Sequence, residues 1–251
     1  MKNTPIVINN RDRLDSTKAL VESLYSRGYS NIVILDNGST YQPLLEWYGT
    51  QNLAYVFFND VTVQTHMTLD HLFHHTQHEY FVQLLKDSWY VYTDSDLTLH
   101  SDVPENFIED LINICAKYNV HKVGLGLKVD DMVEELYTSQ EYWKLMKFMS
   151  EYESQFCHED RLMPENGDIC ELFRSPIDTT FAVYRPNASI YSTNGTWDTP
   201  DSIRTGYPYI CKHEPFYYDL ADYPADEYYY LTHIPSNVET GFSSKVLRFF
   251  K

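Results

Sequence analysis

No run of about 18 apolar residues occurs in this chain, so no segment reads as a membrane-spanning helix. Residues 1–10 lack the apolar centre of a secretory signal. The four cysteines, Cys115, Cys157, Cys170 and Cys211, are scattered and include no CxxC pair, which points to free thiols in a reducing compartment. Neither GxGxxG nor GxxxxGK[ST] is present, so no dinucleotide fingerprint or P-loop is indicated. Basic residues are few, 19 against 36 acidic, for a net charge of −17. That excludes the basic footprint of non-specific nucleic-acid binding. There is no internal repeat and no low-complexity linker. A cytoplasmic protein is expected, and the glycosylation triplets at Asn37, Asn187 and Asn194 are read as coincidence.

What is present is an ordinary globular composition with an excess of rings. Hydrophobic residues make up 43% of the 251 positions, enough for a sizeable core in one large domain or two small ones. Aromatics reach 16%, with 22 tyrosines. Tyr pairs apolar area with a polar tip and suits the wall of a sugar or nucleoside pocket. Most of these rings are nevertheless expected in the core or half-exposed at the surface.

The periodicity predicts an α/β chain. Strand-like Pro5–Asn9 leads through a polar loop, Asn10–Asp15, to a helix capped by Asp15 or Ser16 and ended by Gly28. A second strand, Asn31–Leu35, closes with Asp36-Asn-Gly-Ser-Thr40. The short connections imply a parallel, right-handed unit. Helices are predicted at 42–49, 66–80, Pro104–Tyr118 and Ser139–Phe156. Further strands are predicted at Ala54–Phe58, 89–93, Lys122–Val129 and Thr179–Tyr184. After Pro186 the chain is loop-rich.

The stretch Ser88-Trp-Tyr-Val-Tyr-Thr-Asp-Ser-Asp-Leu-Thr98 carries the most chemistry. Its β-branched and aromatic residues read as a buried strand. Asp94 and Asp96 follow at i and i+2, a spacing that puts side chains on one side of an extended segment. Paired carboxylates at the open end of a strand suit a hard cation, Mg²⁺ or Mn²⁺, which takes further ligands from a substrate diphosphate. Ligands of open α/β sheets bind beyond the carboxyl ends of the strands. Asn9–Arg13, Asp36–Ser39, Asn59–Asp60 and Asp94–Asp96 all fall at such ends. Asp36 suits a nucleoside contact there, or serves only the Asp-Asn-Gly turn.

The segments PIVINNRDR, VILDNGST, VYTDSDLTL, VGLGLKVDD, SPIDTTFAVYR and RTGYPYICKHEPFYYD resemble, in order and spacing, the GT-A fold nucleotide-sugar glycosyltransferases, bacterial family-2-like members above all. They thread the chain from residue 5 to about 219. The resemblance implies a single GT-A-like domain over 1–251. Its nucleotide-binding half runs to about residue 130 and a mixed sugar and acceptor half follows, on a mostly parallel Rossmann-like central sheet flanked by helices. It implies transfer of a sugar from a nucleoside diphosphate, with UDP expected, to a glycan or lipid-linked saccharide in bacterial surface polysaccharide synthesis. It assigns Mn²⁺ or Mg²⁺ to Asp94, Asp96 and His213, and the nucleoside to Arg11, Asp12 and Asp36. Arg204 and Lys212 would add positive charge near the diphosphate. Asp178 and Thr179 would contact the donor sugar, with Asp178, Glu171 and Asp201 as candidate catalytic bases. The family-2 ED…QxxRW ending is absent, so neither the base nor inversion versus retention follows.

Other readings compete. Asp94-Ser-Asp-Leu-Thr98 fits the DxDxT pattern of phosphohydrolases with Asp94 as nucleophile, although three strands precede it here. A noncatalytic carbohydrate-binding protein is the remaining rival. His71, His74, His75 and His78 form one helical stripe, read as solvated rather than as a zinc site. The tail Ser244–Lys251 alternates basic and large apolar residues. It is read mainly as packing on the domain, and secondarily as a peripheral contact with the inner face of a membrane.

Overall fold

A computed structural model describes residues 1–58, 79–157, 161–163, 165–177, 179–186, 201–234 and 241–251. Asn59–Asp60, nearly all of the predicted helix at 66–80, the histidine stripe and Asp178 lie outside the described residues. The elements run β1 (Ile6–Asn10), α1 (Asp15–Ser26), β2 (Ile32–Asp36), α2 (Gln42–Tyr48), β3 (Tyr55–Phe58), α3 (Glu79–Asp87), β4 (Tyr90–Asp94), β5 (Leu97–Leu99), α4 (Phe107–Tyr118), β6 (Lys122–Gly124) and β7 (Gly126–Leu127). They continue with α5 (Gln140–Ser154), β8 (Leu172–Arg174), β9 (Ala182–Tyr184), β10 (Ser202–Thr205), β11 (Ile210–His213), α6 (Ala225–His233) and α7 (Gly241–Leu247).

The fold is mixed α/β, with an eight-stranded sheet in the order β3-β2-β1-β4-β9-β6-β10-β8 and a second sheet, β5-β11-β7. The first four strands of the large sheet are parallel, as the βαβ pattern implies. Six of the eight strands run the same way, as expected of a mostly parallel sheet, and the mixed character expected of the later half enters beyond β4. β9 lies antiparallel between β4 and β6, and β8 antiparallel to β10.

Alternation along the strands builds two cores. Ile6, Ile8, Ile32, Ile34 and Val91 face Leu20 and Leu24 of α1 and Phe107 and Leu111 of α4. Val7, Val33, Leu35, Tyr90 and Tyr92 face Val82 and Leu85 of α3. Each such aliphatic side chain contributes about 1.5–3 kcal/mol by leaving water. A third cluster gathers Tyr142, Met146, Phe216, Tyr230 and Val246. The tail joins it: Phe249 packs on Tyr142, and Phe250 on Tyr223 and Tyr228, at 5.0–5.1 Å between centroids. No described helix is long and apolar enough to cross a membrane.

The predicted strand Lys122–Val129 is two strands, because the chain changes sheets at Leu125. Gly126 permits the change, since a Cβ there would overlap the Thr205 carbonyl. The predicted cap of α1 is also corrected. Asp15 is the first helical residue, and the capping position, Leu14, offers no side-chain acceptor. Instead Oδ2 of Asp226, on α6, accepts from the Leu14 and Asp15 N–H groups at 2.7 and 2.8 Å. Gly28 ends the helix as expected, at φ +80°. Asp226→Ala is expected to lower stability by about 1–3 kcal/mol in urea unfolding, with Asp226→Asn retaining more of it.

Candidate functional site

The carboxyl ends of β1, β2 and β4 are stitched together by amides. Asn37 Nδ2 donates to Asn9 Oδ1 at 2.5 Å, and Asn9 Nδ2 donates to Asp94 Oδ1 at 3.0 Å. Ser95 Oγ donates to Asn10 Oδ1 at 2.8 Å. The Asp94 N–H donates to the Thr179 carbonyl at 2.9 Å, which brings the start of the β9 segment to the same edge. Asn37 is fully buried, so its glycosylation triplet is not presented at the surface.

The two acids of the pair have different surroundings. The chain bends at Ser95 and Asp96, so the extended geometry that would hold both carboxylates alike ends at Asp94. Asp94 faces Asn9. Asp96, 4% exposed, lies with Oδ2 3.3 Å from His213 Nε2 and 3.5 Å from Arg13 Nη2. Among the described residues neither its buried Oδ1 nor His213 Nδ1 finds a hydrogen-bond partner. His213 reaches this point because β11 pairs with β5, opposite Leu97. Phe216 backs its ring at 4.4 Å.

Burial alone would raise the Asp96 carboxyl, but the charges of His213 and Arg13 offset that and hold it well below the ordinary carboxylate range. Burial would likewise lower His213, and the Asp96 charge reverses the sign and holds the imidazole above its ordinary value. Arg13 is anchored in turn. Its Nε and Nη2 donate to the two oxygens of Glu227 at 2.5 and 2.9 Å, and its guanidinium lies 3.7 Å from the Tyr230 ring centre. Burial pushes the Glu227 carboxyl up, and Arg13 opposes it. Arg13 and Glu227 were missed from the sequence. Arg13 stood in the flagged loop, but its acid partner lies 214 positions away on a helix with no local signal.

The other expected residues divide. Asp12 Oδ1 accepts from the Thr40 and Tyr41 N–H groups at 2.6 and 2.9 Å, at a positive φ of 55°. Arg11 donates to the Asn37 carbonyl at 3.0 Å, and its Nε lies 3.6 Å from Asp12 Oδ2. Asp36 is fully buried, with its oxygens accepting from Ser39 N–H and Tyr48 Oη at 2.8 and 2.9 Å. Burial pushes its carboxyl up despite those bonds. In this arrangement Asp36 braces the loop from behind. Arg204, near the carboxyl end of β10, donates from Nε to the Pro176 carbonyl at 2.8 Å and lies 3.4 Å from Thr180 Oγ1. Lys212 does not join His213: neighbours on a strand point to opposite faces, and Lys212 pairs with Asp131 at 2.7 Å. Asp201 precedes β10, which runs parallel to β6, so it sits at the opposite edge from Asp94. Glu171 is exposed and paired with Arg161 at 2.6 Å.

Among the described residues, no group of three or more His, Cys, Asp or Glu side chains is disposed to hold a metal ion. The expected trio is thus split in this arrangement, with Asp96 and His213 together and Asp94 on Asn9. The donor chemistry of the joined pair still suits a hard cation, because Asp96 keeps a buried oxygen with no donor among the described residues.

No family model and no curated protein sequence matches this chain. Among solved structures, S. aureus TarS 1–349 is similar over 73% of this chain and 47% of its own, at 11% identity and a TM-score of 0.35. The chain spans about half the length of that structure, and the score is too low to establish a shared fold.

Removing Arg13 as Arg13→Met takes the cation from buried Glu227 and leaves Asp96 with His213 alone. The expected loss is about 3 kcal/mol by chemical denaturation, the low end for a broken buried pair because Arg13 keeps an exposed rim. The His213 value is raised on folding. Its pairing with Asp96 therefore stabilises fully below about pH 6.5 and fades as pH rises through the folded value. Asp96→Asn is expected to remove that part of the pH dependence and to drop the His213 titration, followed by NMR, below its ordinary range.

Proposed function

We propose that this chain is a metal-assisted glycosyltransferase of GT-A architecture that moves a sugar from a nucleoside diphosphate, UDP in the first instance, to a glycan acceptor. The observation that carries the reading is the convergence of the first loop, the Asp94–Asp96 turn and His213 beyond the carboxyl ends of parallel strands, around a buried carboxylate oxygen with no donor among the described residues. The sequence resemblance supplies the reaction class.

In this reading Asp94, Asp96 and His213 would hold Mn²⁺ or Mg²⁺. A divalent ion there would offset the charge that develops on the departing diphosphate. Arg11, Asp12 and the Asn37 turn would line the nucleoside side, with Asp36 bracing the turn. Arg204 would add positive charge towards the phosphates. Lys212 contributes less directly, since Asp131 already holds it. Thr179 and Asp178 would meet the donor sugar, and Asp178 is the proposed base. A role in surface polysaccharide synthesis rests on the resemblance alone. The phosphohydrolase reading gains nothing from Asp94, whose carboxylate is engaged by Asn9 at the tip of the fourth strand in chain order.

Calorimetric titration of UDP with and without Mn²⁺ tests the proposal. Tighter binding with metal is expected, and Asp94→Ala and Asp96→Ala should each abolish that increment. Metal-assisted binding that persists in both variants sinks the site assignment.

A further inference from the structure

Arg13 serves two buried acids unequally. Glu227 takes Nε and Nη2 as a fork, at 2.5 and 2.9 Å, while Asp96 Oδ2 stands 3.5 Å from the same Nη2. A charge-assisted bond closes to about 2.7–2.9 Å, so the guanidinium leans on Asp96 without closing on it. Its position is fixed at both ends. Thr17 Oγ1 and Asn10 Nδ2 donate to the Arg13 carbonyl at 2.6 and 3.1 Å, and Asp226, beside Glu227, holds the next two N–H groups. The Tyr230 ring, its centre 3.7 Å from the guanidinium carbon, backs the fork.

Asp96 is loosely met by comparison. It is buried, the nitrogens of His213 and Arg13 stand 3.3 and 3.5 Å from its Oδ2, and its Oδ1 has no donor among the described residues. A buried carboxylate so placed is costly unless something completes it. A closed fork from Arg13 would complete it and leave no oxygen for an ion. Glu227 prevents that closure, because it takes the forked donors for itself.

We propose that Arg13 and Glu227 are positioning residues that set the affinity of Asp96 for a divalent cation: Arg13 is the fixed counter-charge of the carboxylate, and Glu227 holds it far enough back to leave the carboxylate free as a ligand. The proposal rests on the metal role proposed above for Asp96. The two side chains then act with opposite sign. Arg13 puts positive charge beside the ligand and opposes an incoming cation, and Glu227 offsets that charge. An ion pair that served only to hold the fold would have no such sign, because breaking it from either side would loosen the site alike.

The test titrates Mn²⁺ into the full chain, alone and with saturating UDP, and reads free Mn²⁺ by electron paramagnetic resonance. Only binding that Asp96→Ala removes is counted, which sets aside the acidic surface of a chain of net charge −17. Glu227→Gln is expected to weaken that binding about tenfold, and Arg13→Met to tighten it about tenfold. Arg13→Lys keeps the charge and should stay nearer the wild type than Arg13→Met. The double variant Arg13→Met/Glu227→Gln removes both charges of the pair, and so reports the same sign even if Arg13→Met alone fails to fold. It is expected to bind at least as tightly as the wild type and more tightly than Glu227→Gln. Weakening in both single variants, unmoved affinity in both, or a double variant no tighter than Glu227→Gln overturns the proposal and leaves the site assignment standing. Mn²⁺ binding that Asp96→Ala leaves unchanged overturns the site assignment, and this proposal with it.

Discussion

A buried line of alternating charge, Glu227–Arg13–Asp96–His213, organises the candidate site. Each member comes from a different element: α6, the loop after β1, the turn after β4, and β11. None can stay ionised away from water without its neighbour, because an isolated buried charge costs far more than the pair returns. The line therefore fixes where four segments must sit. It also leaves one buried acceptor, the second oxygen of Asp96, without a donor among the described residues.

The large sheet supplies the frame. Parallel strands put β1, β2 and β4 tips at one level, and short amides bridge them. The second sheet then turns β11 back across β5, so that a histidine far along the chain arrives beside the first acid-rich turn. The change of sheets at Leu125, with glycines on both sides of it, lets one stretch of chain serve both layers. Lys212 illustrates how strictly this geometry selects. One residue from His213, it points to the other face and is spent on Asp131.

Local pattern made much of this visible. The β1–α1–β2 unit, the glycine that stops α1, and the strand that delivers Asp94 all follow from periodicity and turn chemistry. Pairings between distant segments were not visible. Leu14 gives no hint that its helix is capped from α6, and Arg13 read as one more polar loop residue. Beyond β4 only a mixed half was legible, not the direction of each strand, because a three-residue strand such as β9 carries no sign of whether its neighbours run with it or against it. The spacing of Asp94 and Asp96 implied like orientation, and a bend between them gave each its own surroundings.

The long-range cap has a further consequence for biosynthesis. A ribosome releases α1 long before α6, and until Asp226 and Glu227 emerge the amino end of that helix lacks its cap and the Arg13 guanidinium has Asp96 as its one acid of the line. The nascent half-chain can pair its early strands, but the line of charge closes only when α6 docks. Maturation of the site thus waits on α6, and a product cut short before that helix would keep early strands without a finished pocket.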